Sequence, residues 1–378
     1  MEEQEYIEPI QDEINDSYSN DDLYNINSWG ADLSFRELIS MYDEDELLKP
    51  ELQRKYVWEK AEASRFIESI LLGLPVPSIF LANTKDSKKL IIDGYQRIMT
   101  VFDFVKKGIW QKDGKVFKLS NTDRINERWR GKSYAELSEQ DQRKIRSTTI
   151  HAIIFEQKAP NDNDTSLYQV FERINTGGRA LMPQEIRNCV NQGKFNDLLF
   201  ELNLNEYWRT LYGKLPEDSR MRDVEFILRF LALDTDFVKN NTSSSISLKK
   251  YLNEFMGSDN SQREDVITYR RAKFDAVMEF IANYIGENAF YNITAGDETK
   301  IRKRFYPTIF DSLCPAVSIA LEKLGDNIPI DNLEGKRLEL LKDEDYRKFT
   351  SEGTMQISHI HGRINLVLNH LFNISYYE

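Results

Sequence analysis

The feature that most constrains this chain is a change of hydrophobic period partway along it. Before about residue 160 the apolar residues fall in short runs bounded by Pro, Gly and polar turns, as at Leu74-Pro75-Val76-Pro77 and Leu90-Ile91-Ile92-Asp93-Gly94. From Thr165 onward they recur at helical intervals, in Leu167–Ile174, Glu185–Cys189, Phe195–Leu202, Val224–Leu233, Arg271–Ile285 and Ile309–Leu324. Strands followed by runs of helices read as an α+β chain, helical in its second half. A length of 378 residues exceeds the roughly 250–300 at which one core stops growing, so two linked domains are expected. No internal repeat breaks this division, and the polar stretches at 239–245 and 286–298 read as loops.

Ser34 and Glu37 have capping-box spacing, and Phe35, Leu38, Ile39 and Tyr42 then follow at helical intervals. Pro50 keeps the residue before it out of the helical region, so Leu47–Arg54 is extended or looped and presents Gln53 and Arg54 from irregular backbone. Phe66, Ile67, Ile70 and Leu71 mark a second helix face, which Gly73, Pro75 and Pro77 end. Ser78–Ala82 and Leu90–Ile92 read as a hairpin across a polar turn, and Ile98, Val101, Phe102 and Val105 restore helical spacing. The residues between, Asp93-Gly94-Tyr95-Gln96-Arg97, therefore occupy a strand-to-helix turn. Ser138 with Asp141 marks another capped helix, and Thr148–Glu156 another strand.

Charge is unevenly spread. The net charge is -12, but residues 1–22 hold nine acidic side chains and no Lys or Arg. Residues 1–28 are expected to be a disordered acidic tail, with order beginning near Trp29. The remainder is nearly balanced and can present a cationic groove to phosphates. No apolar run is long enough to span a bilayer and the amino terminus lacks the pattern of a secretory signal, so a cytoplasmic protein without membrane contact is expected. Cys189 and Cys314 are read as reduced, buried thiols.

A helix amino terminus exposes backbone amides and the positive end of its dipole, and a preceding glycine lets a ligand approach the main chain. In such a turn Arg97 can make paired contacts to phosphate oxygens, Gln96 can orient a water or a base edge, and Asp93 can hold a divalent ion or a ribose hydroxyl. A plain turn is the commoner use of Asp-Gly before a helix, and composition does not choose between the two. The Arg-rich stretch Arg124–Arg146 and the run Lys300-Ile301-Arg302-Lys303-Arg304-Phe305-Tyr306 can each bind a nucleic-acid backbone or form solvated surface. No phosphate loop, nucleophile elbow or zinc-spaced cysteine pair is present in the sequence.

Three strings in order, Pro50-Glu51-Leu52-Gln53-Arg54-Lys55-Tyr56-Val57-Trp58, Phe66–Pro77 and Ile92-Asp93-Gly94-Tyr95-Gln96-Arg97, make the chain similar to the amino-terminal domain of GmrSD-type restriction enzymes. A further string, Phe171–Asn188, resembles the same family. The resemblance implies a ParB/sulfiredoxin-like domain with a small mixed sheet at 29–160, followed by a helical domain at 161–378. The family signature is Asp-Gly-Gln-Gln-Arg; Tyr95 stands where the first Gln is usual, keeping a polar tip and adding a face able to stack on a base. Met182 stands where a Thr cap is usual. The resemblance also implies a nucleoside triphosphate with Mg2+ as ligands. By that resemblance Asp93 (metal or ribose), Gln96 (attacking water) and Arg97 (phosphate) are expected to carry the chemistry, while Gln53, Arg54, Gly94, Tyr95, Arg173 and Asn175 are expected to line or close the pocket. The implied role is a nucleotide-hydrolysing module of a restriction or anti-phage system, acting on DNA directly or with a separately encoded nuclease. Two other readings stay open: a ParB-like switch that binds nucleotide without turnover, and a metal-dependent DNA nickase using Asp93. The family's His-Asn-His nuclease domain has no evident counterpart, since His359, His361 and His370 fall on one helical pattern and read as packing or surface residues.

Overall fold

Five short runs pair into one mixed sheet, in the order β1-β5-β3-β4-β2. The computed structural model describes residues 6–10, 25–48, 58–84, 87–159, 168, 170, 172, 174, 182–191, 193–294 and 296–376. The strands are β1 (Asn25–Ser34), β2 (Leu47–Leu48), β3 (Ile79–Asn83), β4 (Lys89–Asp93) and β5 (Thr149–Ala159). The hairpin β3–β4 is antiparallel, as is β1–β5, whereas β3–β5 and β2–β4 are parallel. The chain is thus a mixed α/β protein with a small sheet and many helices.

Around this sheet stand α1 (Phe35–Asp43), α2 (Lys60–Leu72), α3 (Tyr95–Phe102) and α4 (Glu139–Ser147). Ser34 and Glu37 form the expected capping box, and Gly73 ends α2 in the left-handed conformation at φ 78°. Their apolar faces meet the sheet in one core that includes Phe35, Ile67, Ile79, Ile91, Ile98, Ile150 and Ile154. In β5 the alternate residues Ile150, Ala152 and Ile154 face this core, because successive strand residues face opposite sides.

The other unit joins residues 1–20, 182–187 and 191–378. Its helices are α5 (Pro183–Val190), whose last residues cluster with the sheet unit, α6 (Lys194–Asn203), α7 (Glu206–Tyr212), α8 (Arg222–Leu233), α9 (Asp236–Lys239), α10 (Leu248–Gly257) and α11 (Glu264–Tyr284). A hairpin follows, β6 (Tyr291–Thr294) with β7 (Asp297–Phe305), and then α12 (Pro307–Leu324), α13 (Leu333–Leu340), α14 (Glu344–Ser351) and α15 (Ile357–Phe372). Trp208 is fully buried in its core, ringed by Tyr212, Phe274, Phe290, Phe305 and Phe310.

Three readings of the chain need correction. Order begins earlier than Trp29: β1 starts at Asn25, and residues 6–10 lie on the helical unit, where Phe305 donates its amide to the Tyr6 carbonyl at 2.9 Å. β1 is an edge strand with Trp29 exposed, so it lacks the apolar density that identifies a strand in sequence. The second correction is the β6–β7 hairpin, which stands where 286–298 reads as a loop. Its charged strand is held by the burial of Phe305 at one end rather than by alternation along its length. The third concerns Tyr95, described below. The proposed boundary at 160/161 lies outside the described residues.

Candidate functional site

The strand-to-helix turn forms as the spacing predicts, with β4 ending at Asp93 and α3 starting at Tyr95. Gly94 between them has φ 101°, a left-handed conformation that disfavours side chains. Space makes the same demand: a Cβ at Gly94 would lie 2.3 Å from Cγ2 of Ile79 and 3.5 Å from Nε of Arg97. Glycine therefore lets β3 pass beneath the turn and lets Arg97 fold back over it. A register shift between Phe80 and Leu81, opposite the end of β4, adds to the local bend.

Arg97 donates through Nη2 to Oδ2 of Asp93 at 2.5 Å, an i,i+4 ion pair across the turn. The arginine side chain is only 12% exposed and the aspartate 42%, so the carboxylate is the wetter partner and fixes the guanidinium in one place. A guanidinium carries five N–H donors in a planar fork, which leaves this one able to offer others to a tetrahedral anion while Asp93 keeps its orientation. The dipole of α3 favours negative charge at the same point.

Gln96 faces a different partner. Its Oε1 accepts from the backbone N–H of Trp58 at 3.3 Å. Trp58 packs edge-on against Phe66 of α2, with ring centroids 5.5 Å apart. The bond ties the motif helix to the chain immediately after the segment bearing Gln53 and Arg54. Those two residues, and Arg173 and Asn175, lie outside the described residues.

Tyr95 corrects an expectation. It is 5% exposed and belongs to the sheet unit's apolar core, so its face is packed among neighbours rather than presented at the surface. Burial, with the nearby Tyr42 and Asp103 adding to it, raises its phenol far above the ordinary range. Tyrosine here is a core residue with a polar tip, whose bulk anchors the first turn of α3.

Beneath the same helix lies a group that the motif does not include. Asp103 opens the wide turn Asp103–Lys107 that continues α3, and it is fully buried. Burial pushes its carboxyl up to about 6, although the ammonium of Lys107 pulls the other way. Its spacing of eight from Tyr95 is the only sequence signal that it shares the inward face. Ile79 and Trp58 were likewise unreadable as site residues, since one acts by shape and the other by its main chain.

The other candidates resolve into structure. Arg128 and the indole N–H of Trp129 both donate to Asp141, at 3.0 and 3.2 Å, and Arg130 bonds the Ile125 carbonyl and pairs with Asp123, so these parts of the Arg-rich stretch hold its own loop together. α15 is one continuous helix through all three histidines. His361 donates to the Val238 carbonyl and His359 to that of Glu352, in different directions. Cys189 and Cys314 are buried, as expected, and are not joined in a disulfide. α5 does begin at Pro183; the Met182 side chain gives no cap, and the Glu185 carboxylate accepts the Met182 N–H at 2.6 Å. Among the described residues no group of three or more His, Cys, Asp or Glu is placed to hold a metal, and no helix is long and apolar enough to cross a membrane.

Fold and site together define a mixed α/β protein built around a strand–glycine–helix turn with an arginine braced by an aspartate. Residues 35–192, which contain that turn, match the family described as GmrSD restriction endonuclease, N-terminal domain. The chain is therefore similar over this segment to a restriction-related, defence-associated module. No curated protein matches it.

Proposed function

We propose that the Asp93–Arg97 turn binds the phosphates of a nucleoside triphosphate and promotes its hydrolysis, in a protein that serves restriction of foreign DNA. The observation that carries this reading is the partly buried Arg97 held by Asp93 over Gly94, at the start of a helix, within the segment matched to the restriction family. Arg97 binds and orients the phosphate oxygens; Asp93 positions Arg97; the left-handed Gly94 keeps the main chain open to the ligand. We read the sheet and this turn as a ParB/sulfiredoxin-like arrangement. Mg2+ bound with the nucleotide would supply charge neutralisation, and Asp93 is the one carboxylate of the turn able to contribute to it, in keeping with the habit of Mg2+ of taking one or two carboxylates plus phosphates. Gln53, Arg54, Arg173 and Asn175 are proposed to close over the nucleotide, and the DNA or a separately encoded nuclease to be the downstream partner, in the cytoplasm.

One observation favours a switch without turnover. The Gln96 side-chain oxygen that would accept a hydrogen bond from an attacking water is engaged by the Trp58 amide, which suits a residue that couples nucleotide to the preceding loop. Nicking by Asp93 has less support, because among the described residues no group of three or more His, Cys, Asp or Glu is placed to hold a metal. Phosphate release with each ribonucleoside triphosphate and Mg2+, with and without DNA, separates the readings. Turnover that vanishes in Arg97→Ala is the expected result; tight binding without turnover selects the switch, and Arg97→Ala with unchanged nucleotide affinity by calorimetry removes the proposed role altogether.

A further inference from the structure

The run Lys300–Arg304 has no part in the nucleotide site, yet it is one of the most cationic strands in the chain. It forms most of β7, where the side chains of Lys300 and Arg302 are 74% and 49% exposed and Lys303 is also at the surface. Beside its end lies the amino-terminal arm of the same unit. The Glu8 amide donates to the Phe305 carbonyl at 2.8 Å, while the Phe305 amide donates to Tyr6, so residues 6–8 add alongside β7 in the parallel sense. The Tyr6 hydroxyl reaches Tyr291 at 2.9 Å and fastens the arm to β6.

This arm brings a charge with it. The Glu8 carboxylate lies 2.9 Å from Arg304 and 3.9 Å from Arg302. A cavity of about 490 Å³ opens between Glu8–Ile10, the hairpin, the start of α12 and the end of α14, with Arg302 and Arg347 in its wall. Glu8 is one of nine acidic residues within positions 1–22, which include no base. Strand pairing alone explains the backbone bonds; it does not require an acid at position 8 or an arm so one-sided in charge.

We propose that β7 is a binding surface for the phosphate backbone of DNA, and that the acidic amino-terminal arm covers it in cis, with Glu8 occupying the place of a phosphate against Arg302 and Arg304. Each cation that a phosphate engages releases a counterion, so uncovering the strand both tightens binding and steepens its salt dependence. The arm acts as a competitor at high effective concentration because it is tethered.

The test is fluorescence anisotropy of a short labelled duplex of mixed sequence, without nucleotide, so that it is independent of the Arg97 site. Glu8→Gln in the full chain keeps the backbone pairing and removes the charge. It is expected to bind several-fold more tightly than the parent, with the slope of log affinity against log salt steeper by about one. Lys300→Ala with Lys303→Ala, both at exposed positions, is expected to weaken binding several-fold in either background. Unchanged affinity in Glu8→Gln overturns the covering role, and unchanged affinity in the lysine double variant overturns the surface itself. Should Glu8→Gln fail to fold, the lysine variant still decides whether β7 binds DNA.

Discussion

At the residue scale, the turn rests on two side chains and one missing side chain. Gly94→Ala must place a Cβ against Ile79 in a left-handed conformation, and a cost of about 2 kcal/mol or more is expected, visible as a lowered urea midpoint. Arg97→Lys keeps the charge but not the planar fork, so it is expected to recover little of the nucleotide affinity lost in Arg97→Ala; full recovery in calorimetry would mean that charge alone matters. Gly94, Gln96 and Arg97 were legible as candidates because their residue types fit phosphate chemistry. What Tyr95 does was not, since a tyrosine at a helix start can face either core or solvent and only the packing of α3 on the sheet turns it inward.

The elements show where local rules suffice. α1 begins where Ser34 and Glu37 reciprocally satisfy the first amides, and Ser34→Ala is expected to cost about 1 kcal/mol in the thermal transition of the sheet unit. Asp103, on the wide turn after α3, behaves differently. Its folded carboxyl titrates near 6 against an ordinary value of 3.8, so between these the folded state holds a proton that the unfolded chain has lost. Stability contributed by the neutral acid is complete below 3.8 and is lost as pH rises through 6. Asp103→Asn is therefore expected to stabilise the protein at about pH 7.5, by on the order of 2 kcal/mol, and to change little near pH 4. Chemical denaturation at both pH values checks this; a variant destabilised equally at the two would show that the carboxylate is held by something stronger than burial.

At the scale of the whole molecule, the helical unit is pinned by a buried charge network. Arg229 donates to Asp311, both are nearly inaccessible, and Arg363 lies 3.9 Å from the same carboxylate. Removing Asp311 takes the shared carboxylate from two buried arginines, so Asp311→Ala is expected to cost about 3–5 kcal/mol and to melt the helical unit first, followed by circular dichroism. Asp311→Asn, which retains acceptors, should cost less.

From sequence alone came the division into a strand-bearing part and a helical part, the positions of α1–α4, the β3–β4 hairpin and the turn at Asp93–Arg97. These depend on periodicity, capping and glycine, which act over a few neighbouring residues. Tertiary structure alone decided that Asn25–Ser34 is a strand, because an exposed edge forms only when β5 is there to pair with it. It also decided that Asp297–Phe305, rich in charge, is a strand, because Phe305 is buried against residues distant in the chain. The same holds for the site: Asp93 and Arg97 meet through helical geometry that the spacing already contains. Ile79 beneath Gly94, Trp58 against Gln96 and Glu8 beside Arg304 meet only because distant segments fold together, and no local rule encodes those distances.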